Sequence, residues 1–244
     1  MNDTKLTPKQ IEILLLLYKF RFLHTYQLQH LLNHKKPNRI KIWLKDLTEK
    51  EYLKRDYKPN TMIKKPAIYS LTINSRELLK TKKECDILVL NKIYREKNRS
   101  KTFIDHCVLI ADIFLKLQEK TSERIHFATK NNLHGYEYFP YPLPDAYVAI
   151  KKPQKTQRYF LEVIDDNLPR FAIRGKIQRY IDYYQSDLWE DHTEKPFPSI
   201  HIICPTLASK RYIERFLTIT LNEEQTSIRF NCSTKEDIQK KTLY

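Results

Sequence analysis

Apolar residues recur at every third or fourth position in the first fifty residues, a spacing that predicts three amphipathic helices. The first helix begins at Thr7-Pro8-Lys9, because Thr7 suits a helix cap and Pro8 suits a first turn. A second, short helix follows Thr25, another cap candidate, and the third covers the stretch NRIKIWLKDLTEKEYL. The apolar faces comprise Ile11, Leu14, Leu15 and Tyr18 in the first helix, Leu28, Leu31 and Leu32 in the second, and Ile40, Trp43, Leu44 and Leu47 in the third.

Two strand-like stretches, YLKRDY and AIYSLT, follow these helices and flank the basic tip KPNTMIKKP (residues 58–66). A further helix is predicted from about Ser75. Three helices followed by a two-stranded ribbon is the order of a winged helix-turn-helix, in which the third helix enters the major groove of DNA. Residues 1–85 are therefore predicted to form a DNA-binding domain. A protein-docking role for the same fold is the alternative, which the strongly basic tip disfavours.

The candidate DNA-binding residues belong to the third helix and to the ribbon. Polar and basic residues near the start of that helix are candidates for contacts with base edges. Basic residues of the ribbon are candidates for neutralising phosphates. The set comprises Lys36, Asn38, Arg39, Lys41 and Lys45 around the helix, and Lys54, Arg55, Lys58, Lys64 and Lys65 in the ribbon.

Charge and composition narrow the classes of function. The formal net charge is +15, and residues 1–100 hold 23 Lys and Arg against 10 Asp and Glu, which favours double-stranded DNA as partner over an evenly solvated basic surface. Two glycines in all cannot build a Gly-rich phosphate loop or a dinucleotide fingerprint. The four cysteines form no CxxC pair and the first residues lack a signal pattern, so a cytoplasmic location is expected.

The pattern changes after a charged stretch, residues 86–101, which is predicted to be a linker. Residues 102–244 alternate helical and strand-like segments, and this order predicts a mixed α/β domain in which helices cover a sheet, so that the whole chain is α+β. The apolar strand SIHIICP is expected at the centre of the sheet. The segments are FIDHCVLIADIFLKLQE, RIHFAT, PDAYVAI, RYFLEVI, a helix from about Leu168 to Gln185, SIHIICP, ASKRYIERFLTITL and SIRFNCS.

Two of these strands carry an acid each, in the stretch LPDAYVAIKKPQKTQRYFLEVIDD. Asp145 lies near the start of the first strand and Glu162 at the end of the second. Carboxylates from two adjacent strands can share a Mg²⁺ ion, which activates water and offsets charge on a scissile phosphate. Asp145 and Glu162 are therefore candidate metal ligands and catalytic residues. The alternative is that both acids simply face solvent.

Several short motifs over about residues 7–220 occur together: the N-terminal winged helix, the His106 region, Pro144-Asp145, Leu161-Glu162-Val163, and the segment Pro169…Arg174-Gly175-Lys176…Tyr180. In this combination the chain resembles the replication-relaxation family, whose members are associated with plasmid replication and mobilisation. The resemblance implies that residues 102–244 adopt a restriction-endonuclease-like, PD-(D/E)xK fold. Such nucleases place a lysine two residues after the second acid, where this chain has Ile164. Lys176 is the candidate for a migrated catalytic ammonium, and a solvated or backbone-contacting helix face is its alternative.

The expected function is that of a DNA-binding protein of a plasmid or other mobile element, acting in replication or transfer. One hypothesis adds DNA nicking or cleavage with Mg²⁺, for which Mn²⁺ could substitute. The other is a non-catalytic regulator or initiator whose nuclease-like domain serves homodimer formation or docking of replication or transfer proteins. A tyrosine nucleophile among Tyr180, Tyr183 and Tyr184 is disfavoured, because no His-x-His metal cluster accompanies them, and packing on the sheet is expected instead.

Overall fold

The computed structural model describes residues 6–57 and 66–240, which form a mixed α+β protein. The chain divides into two compact units, Met1–Leu115 and Lys116–Tyr244. Within the described residues, no helix has the length and apolar character needed to cross a membrane.

The first unit combines helices with a small antiparallel sheet of strand order β1-β3-β2. As predicted, Thr7 caps the first helix: its hydroxyl accepts a hydrogen bond from the Gln10 backbone N–H at 3.3 Å. The elements are α1 (Pro8–Phe20), β1 (Leu23–His24), α2 (Thr25–Leu31), α3 (Pro37–Glu49), β2 (Leu53–Asp56), β3 (Ile68–Leu71), α4 (Ser75–Leu79), α5 (Ile87–Leu90), a 3-10 helix (Ile93–Asn98) and α6 (Lys101–Lys120), which ends in the second unit.

The start of α2 differs by one residue from the prediction. His24 occupies the cap position and Thr25 is the first helical residue. The reason is the short strand β1, which the sequence pattern did not indicate: it pairs Leu23 with Tyr69 and His24 with Ile68, so the chain is extended up to the helix. The Gln27 side-chain oxygen accepts a hydrogen bond from the His24 backbone N–H at 2.9 Å and completes the cap.

The predicted linker, residues 86–101, packs as part of the first unit. It forms α5 and the 3-10 helix, and its apolar residues Leu90 and Ile93 are buried. The Glu96 carboxylate is also buried and forms an ion pair with Arg21 at 2.5 Å. A linker was predicted because the stretch is rich in charged residues, yet it has a short apolar face and one of its acids forms a buried ion pair. The division into units lies after Leu115 instead of near residue 101.

The second unit is built on a five-stranded mixed sheet of order β4-β5-β6-β7-β8. The first three strands are antiparallel, whereas β7 runs parallel to both of its neighbours. The elements are β4 (Arg124–Thr129), α7 (Lys130–Leu133), β5 (Ala146–Lys151), β6 (Thr156–Val163), α8 (Arg170–Gln185), α9 (Leu188–Thr193), β7 (Ser199–Cys204), α10 (Leu207–Glu223), β8 (Phe230–Thr234) and α11 (Lys235–Lys240).

Strand β7 was predicted at the centre of the sheet, but it is the fourth of the five strands and β6 is the middle one. It lies between β6 and β8 and, as its apolar sequence indicates, is buried from Ile200 to Cys204. Helices α8 and α10 pack against each other and share one apolar core with the sheet, to which they contribute Ile173, Ile177, Ile213 and Leu217. Burial of an Ile or Leu side chain stabilises a fold by about 1.5–3 kcal/mol, so this core fixes the position of α8 beside the end of β6.

A buried histidine on β7 gives the second unit a pH-dependent stability. Burial lowers the pKa of His201 from 6.5 to about 4, and its ring stacks on Tyr159 at 4.2 Å between centroids. Because the unfolded chain binds more protons there, stability is lost as the pH falls from about 6.5 to about 4.

When the pH is lowered from 7 to 4.5, the unfolding free energy of the wild-type protein should fall by about 2–3 kcal/mol more than that of a His201→Phe variant. Phenylalanine keeps an aromatic ring at this position but cannot be protonated. Urea titrations at the two pH values measure this difference. Equal losses in the two proteins would contradict the assignment.

Candidate functional site

The two predicted acids lie side by side in the second unit, where β5 begins and β6 ends. Ala146 pairs with Leu161 in the antiparallel register, and the Asp145 backbone N–H donates to the Leu161 carbonyl at 3.0 Å, so Asp145 is the neighbour of Glu162 across the strands. Each residue is only 1% exposed. The expectation that these acids face solvent is therefore wrong, and two carboxylates this well buried require charged partners.

The Asp145 carboxylate accepts hydrogen bonds from a cationic side chain and from a backbone N–H. Its Oδ1 accepts a hydrogen bond from Lys130 Nζ at 2.6 Å, and its Oδ2 accepts one from the Val163 backbone N–H at 2.8 Å. Lys130 begins α7 directly after Thr129, which pairs with Ala146 across the strands. Partial desolvation by itself would lower the pKa of Lys130, whose side chain is 45% exposed, but the carboxylates of Asp145 and Glu162 outweigh that effect and raise the pKa, so Lys130 stays charged.

The Glu162 carboxylate contacts three side chains of α8. Lys176 Nζ lies 2.5 Å from Oε2, while Arg179 Nη2 and the Tyr180 hydroxyl donate to Oε1 at 2.6 and 2.7 Å. The spacing 176, 179 and 180 puts these side chains on one side of the helix. Burial, followed by the Glu162 carboxylate, raises the pKa of Tyr180 well above its usual value, so its hydroxyl keeps its proton and serves as a donor.

The position of the missing nuclease lysine is an apolar core position. Ile164 is 2% exposed and packs in the core with Ile173 and Ile177 of α8. Beside it is a recess of about 10 Å³, lined by Glu162, Ile164, Ile173, Lys176, Ile177, Tyr180 and Ile202. An ammonium at position 164 would be buried in this apolar core. Lys176 brings an ammonium to Glu162 from the neighbouring helix instead.

The residues of this carboxylate cluster (Lys130, Asp145, Glu162, Lys176, Arg179 and Tyr180) do not fit a divalent cation in their present arrangement. All four carboxylate oxygens accept hydrogen bonds, and three cationic side chains face two carboxylates. A Mg²⁺ ion binds carboxylate oxygens and keeps several waters, so it would have to displace an ammonium group first. Within the described ranges, no three His, Cys, Asp or Glu side chains come together in a way that could hold a metal ion.

Sequence reasoning named Asp145, Glu162 and Lys176, which the structure brings together, but it did not connect Lys130 or Arg179 with the acids.

The expectation that the tyrosines of α8 pack on the sheet is confirmed for two of them. Tyr180 stacks on Phe160 at 5.8 Å and Tyr183 lies 6.2 Å from the same ring. The additional role of Tyr180, donation to Glu162, was missed because it depends on where β6 ends relative to α8.

In the first unit, the predicted base-contacting residues share the exposed side of α3. On the opposite side of the helix, Ile40, Leu44 and Leu47 are completely buried. The Arg39 guanidinium lies 5.6 Å from the Trp43 ring, and Lys45 forms an exposed ion pair with Glu49 at 3.6 Å. Lys36, Arg39 and Lys41 form no ion pair with any residue that the structure describes. The exposed set comprises Lys36, Asn38, Arg39, Lys41, Ile42 and Lys45.

The ribbon candidates lie partly within the described residues. Lys54 and Arg55 are exposed on β2, where Lys54 Nζ donates to the Lys97 carbonyl at 3.0 Å and the Arg55 guanidinium lies 4.8 Å from the Tyr57 ring. Lys58, Lys64 and Lys65, which belong to the basic tip, fall outside the described residues, and their role stays a prediction.

Comparison with known proteins places the chain by sequence more firmly than by structure. The sequence model of a family described as replication-relaxation matches residues 14–200. No curated protein matches the chain. Among solved structures, the C30AH42A mutant of ZitR from Lactococcus lactis is 21% identical over 43% of this chain and 61% of that one, with a TM-score of 0.26.

The restriction endonuclease FokI is a second structural neighbour, 14% identical over 98% of this chain, with a TM-score of 0.36. A structure of FokI bound to DNA is similar at 13% identity and a TM-score of 0.35. The chain spans 61% of the ZitR mutant and 44% of FokI. Structural similarity this weak carries no functional information about the chain.

Proposed function

Because the chain belongs to the replication-relaxation family, we propose that it is a DNA-binding protein of a plasmid or other mobile element, acting in replication or transfer. The first unit is the DNA-binding part, a winged helix-turn-helix. Its order of α1, β1, α2, α3, β2 and β3 supports this assignment, because the third helix and the following ribbon are the elements with which such domains contact DNA.

The observation that carries the proposal is the surface of α3. Three apolar residues on one side of the helix are completely buried. Arg39 and Lys41 on the helix, and Lys36 directly before it, are exposed and form no ion pairs among the described residues. Unneutralised cations attract a polyanion, and each phosphate that they neutralise releases counterions. Asn38 and Arg39, in the first turn, have side chains that can donate to base edges in the major groove.

For the second unit we propose a non-catalytic role in homodimer formation or in docking of replication or transfer proteins. The saturated carboxylate cluster supports this role. Lys130, Lys176 and Arg179 already neutralise Asp145 and Glu162, so the cluster joins α7, the residue before β5, the end of β6 and α8. Buried carboxylates whose oxygens all accept hydrogen bonds hold the elements that supply the donors in one arrangement.

The alternative proposal is Mg²⁺-dependent DNA cleavage, with Asp145 and Glu162 as metal ligands and Lys176 as the catalytic ammonium. It is supported by one observation. These three residues, which were named from the sequence, come together at the start of β5, the end of β6 and the facing part of α8. The two proposals differ in what millimolar Mg²⁺ or Mn²⁺ does to the protein and to a plasmid substrate.

Metal addition is expected to leave both the urea midpoint of the second unit and supercoiled plasmid DNA unchanged. A ligand that binds only the folded state at 100 times its Kd would add about 2.7 kcal/mol of stability, a shift that is easily measured. Nicking that requires Mg²⁺ and disappears in the Asp145→Ala, Glu162→Ala double variant would replace the non-catalytic role with the nuclease. DNA binding by the first unit would stand in either case.

A further inference from the structure

Gly175 lies in the interior of α8, where glycine is destabilising relative to alanine. The residue is exposed, and a Cβ added to it would meet nothing within 4 Å. Its φ does not lie in the left-handed region, in contrast to Gly135. Neither packing nor backbone conformation within the described residues therefore explains why this position carries no side chain.

The helical spacing puts Gly175 in the middle of the outward side of α8. Phe171, one turn before it, is 74% exposed. Cationic side chains border this side on both flanks: Arg170 and Arg174 lie towards α10, while Lys176 and Arg179 lie towards Glu162. The nearest acid on this side, Asp182, accepts a hydrogen bond from the Gln178 side chain at 3.0 Å.

Arg170 and Arg174, which face α10, are positioned by aromatic rings and not by acidic side chains. The Arg170 guanidinium lies 4.7 Å from the centre of the Tyr212 ring, and that of Arg174 lies 6.0 Å from the centre of the Phe216 ring. An aromatic ring occupies the flat face of a guanidinium and leaves its N–H edge free to donate to an anion. Neither arginine forms an ion pair with any other residue in the described ranges.

Helix α10 extends the same positive surface. Arg211 and Arg215 are exposed and without ion pairs among the described residues, and the acid between them, Glu214, is paired with Lys210 at 3.8 Å. Of the seven Lys and Arg in residues 170–179 and 207–219, Lys176 and Arg179 pair with Glu162 and Lys210 pairs with Glu214, so the four arginines Arg170, Arg174, Arg211 and Arg215 remain without ion pairs among the described residues. We call this surface the α8–α10 face; it comprises Arg170, Phe171, Arg174, Gly175, Arg211 and Arg215.

We propose that the α8–α10 face binds the sugar–phosphate backbone of double-stranded DNA, with Gly175 at the point of closest approach. This inference rests on the proposed DNA-binding function and adds a second contact to that of the first unit. Fixed guanidinium groups suit phosphate oxygens because they donate in pairs. A position without a Cβ lets the backbone of the partner approach the helix closely.

Two full-length variants test the proposal by fluorescence anisotropy with a labelled DNA duplex. Gly175→Ala should raise the melting temperature by about 1–5 °C, because alanine favours the helix, and yet weaken DNA binding several-fold. Arg174→Glu combined with Arg215→Glu should weaken binding about 10- to 100-fold through charge reversal. The matched control is Arg124→Glu with Lys151→Glu, an exposed cross-strand pair on β4 and β5 with the same change in net charge.

The outcomes separate this inference from the proposed function. If the wild-type protein does not bind the duplex, the proposed function itself fails. If it binds and both α8–α10 variants retain wild-type affinity, or lose no more than the control, the surface serves another partner and the inference is overturned. A more stable Gly175→Ala protein with weakened DNA binding supports it, because a merely structural role of Gly175 would not weaken binding while it stabilised the fold.

Discussion

A Glu162→Ala variant is expected to lower the unfolding free energy of the second unit by about 3 kcal/mol, as is usual when one partner of a buried ion pair is removed. The substitution leaves Lys176, Arg179 and the buried Tyr180 hydroxyl without their acceptor. The effect should lie at the lower end of the usual range, because the Lys176 side chain is 28% exposed and can turn towards water.

The two tryptophans of the chain lie in different units, which makes this prediction measurable. In a Trp43→Phe background, the fluorescence of Trp189 reports the second unit alone, where the ring is buried. Urea unfolding followed at Trp189 then gives the free energy directly. Asp182→Ala is the control, since that acid is exposed on the same helix and should change stability by less than about 0.5 kcal/mol. A loss for Glu162→Ala no larger than that of the control would show that the cluster does not stabilise the unit.

Reversing two charges on α3, by Arg39→Glu with Lys41→Glu, is expected to weaken binding to a DNA duplex by roughly 100-fold or more at moderate salt. Both side chains are exposed and neither has an acidic partner among the described residues, so each is available to phosphates or bases. Reversal removes two favourable contacts and adds two repulsive ones, and each lost contact of this kind is worth about 1–3 kcal/mol. Gel shift or anisotropy measures the change.

The control for this pair is Lys9→Glu with Lys80→Glu, which changes the net charge of the same unit by the same amount. Lys9 and Lys80 already form exposed ion pairs with Glu12 and Glu77, on α1 and α4. If the control weakens DNA binding as much as the α3 variant, the protein responds to its net charge alone. In that case α3 would not be the helix that contacts DNA.

The larger elements of the fold were predictable because each one buries a continuous apolar face. Helix α3 shows Ile40, Leu44 and Leu47 at helical spacing, and β7 is apolar along its whole length. The short elements were not predictable, because contacts distant in sequence produce them. Strand β1 is only two residues long and exists by pairing with β3, which is more than forty residues away.

The acids of the candidate site were predictable from the sequence, but only one of the three cations that contact them was. Asp145 and Glu162 stand at strand ends that any hairpin would bring together, so their neighbourhood followed from the sequence. Lys130 reaches Asp145 only through the register of β4 with β5, across the segment 130–145, and no local pattern indicates it. The three-to-two excess of cations, which supports the non-catalytic proposal, was for this reason not visible in the sequence.

The salt dependence of duplex DNA binding by the full chain tests the central claim, that α3 and β2 of the first unit contact the DNA backbone. Five described cations lie on these two elements and a sixth, Lys36, directly precedes α3; the set comprises Lys36, Arg39, Lys41, Lys45, Lys54 and Arg55. If all six neutralise phosphates, the logarithm of the affinity should fall with the logarithm of the salt concentration with a slope of about −5 or steeper. The Arg39→Ala, Lys41→Ala variant should have a slope shallower by about 2. A slope near zero, or an unchanged slope in the variant, would contradict the claim.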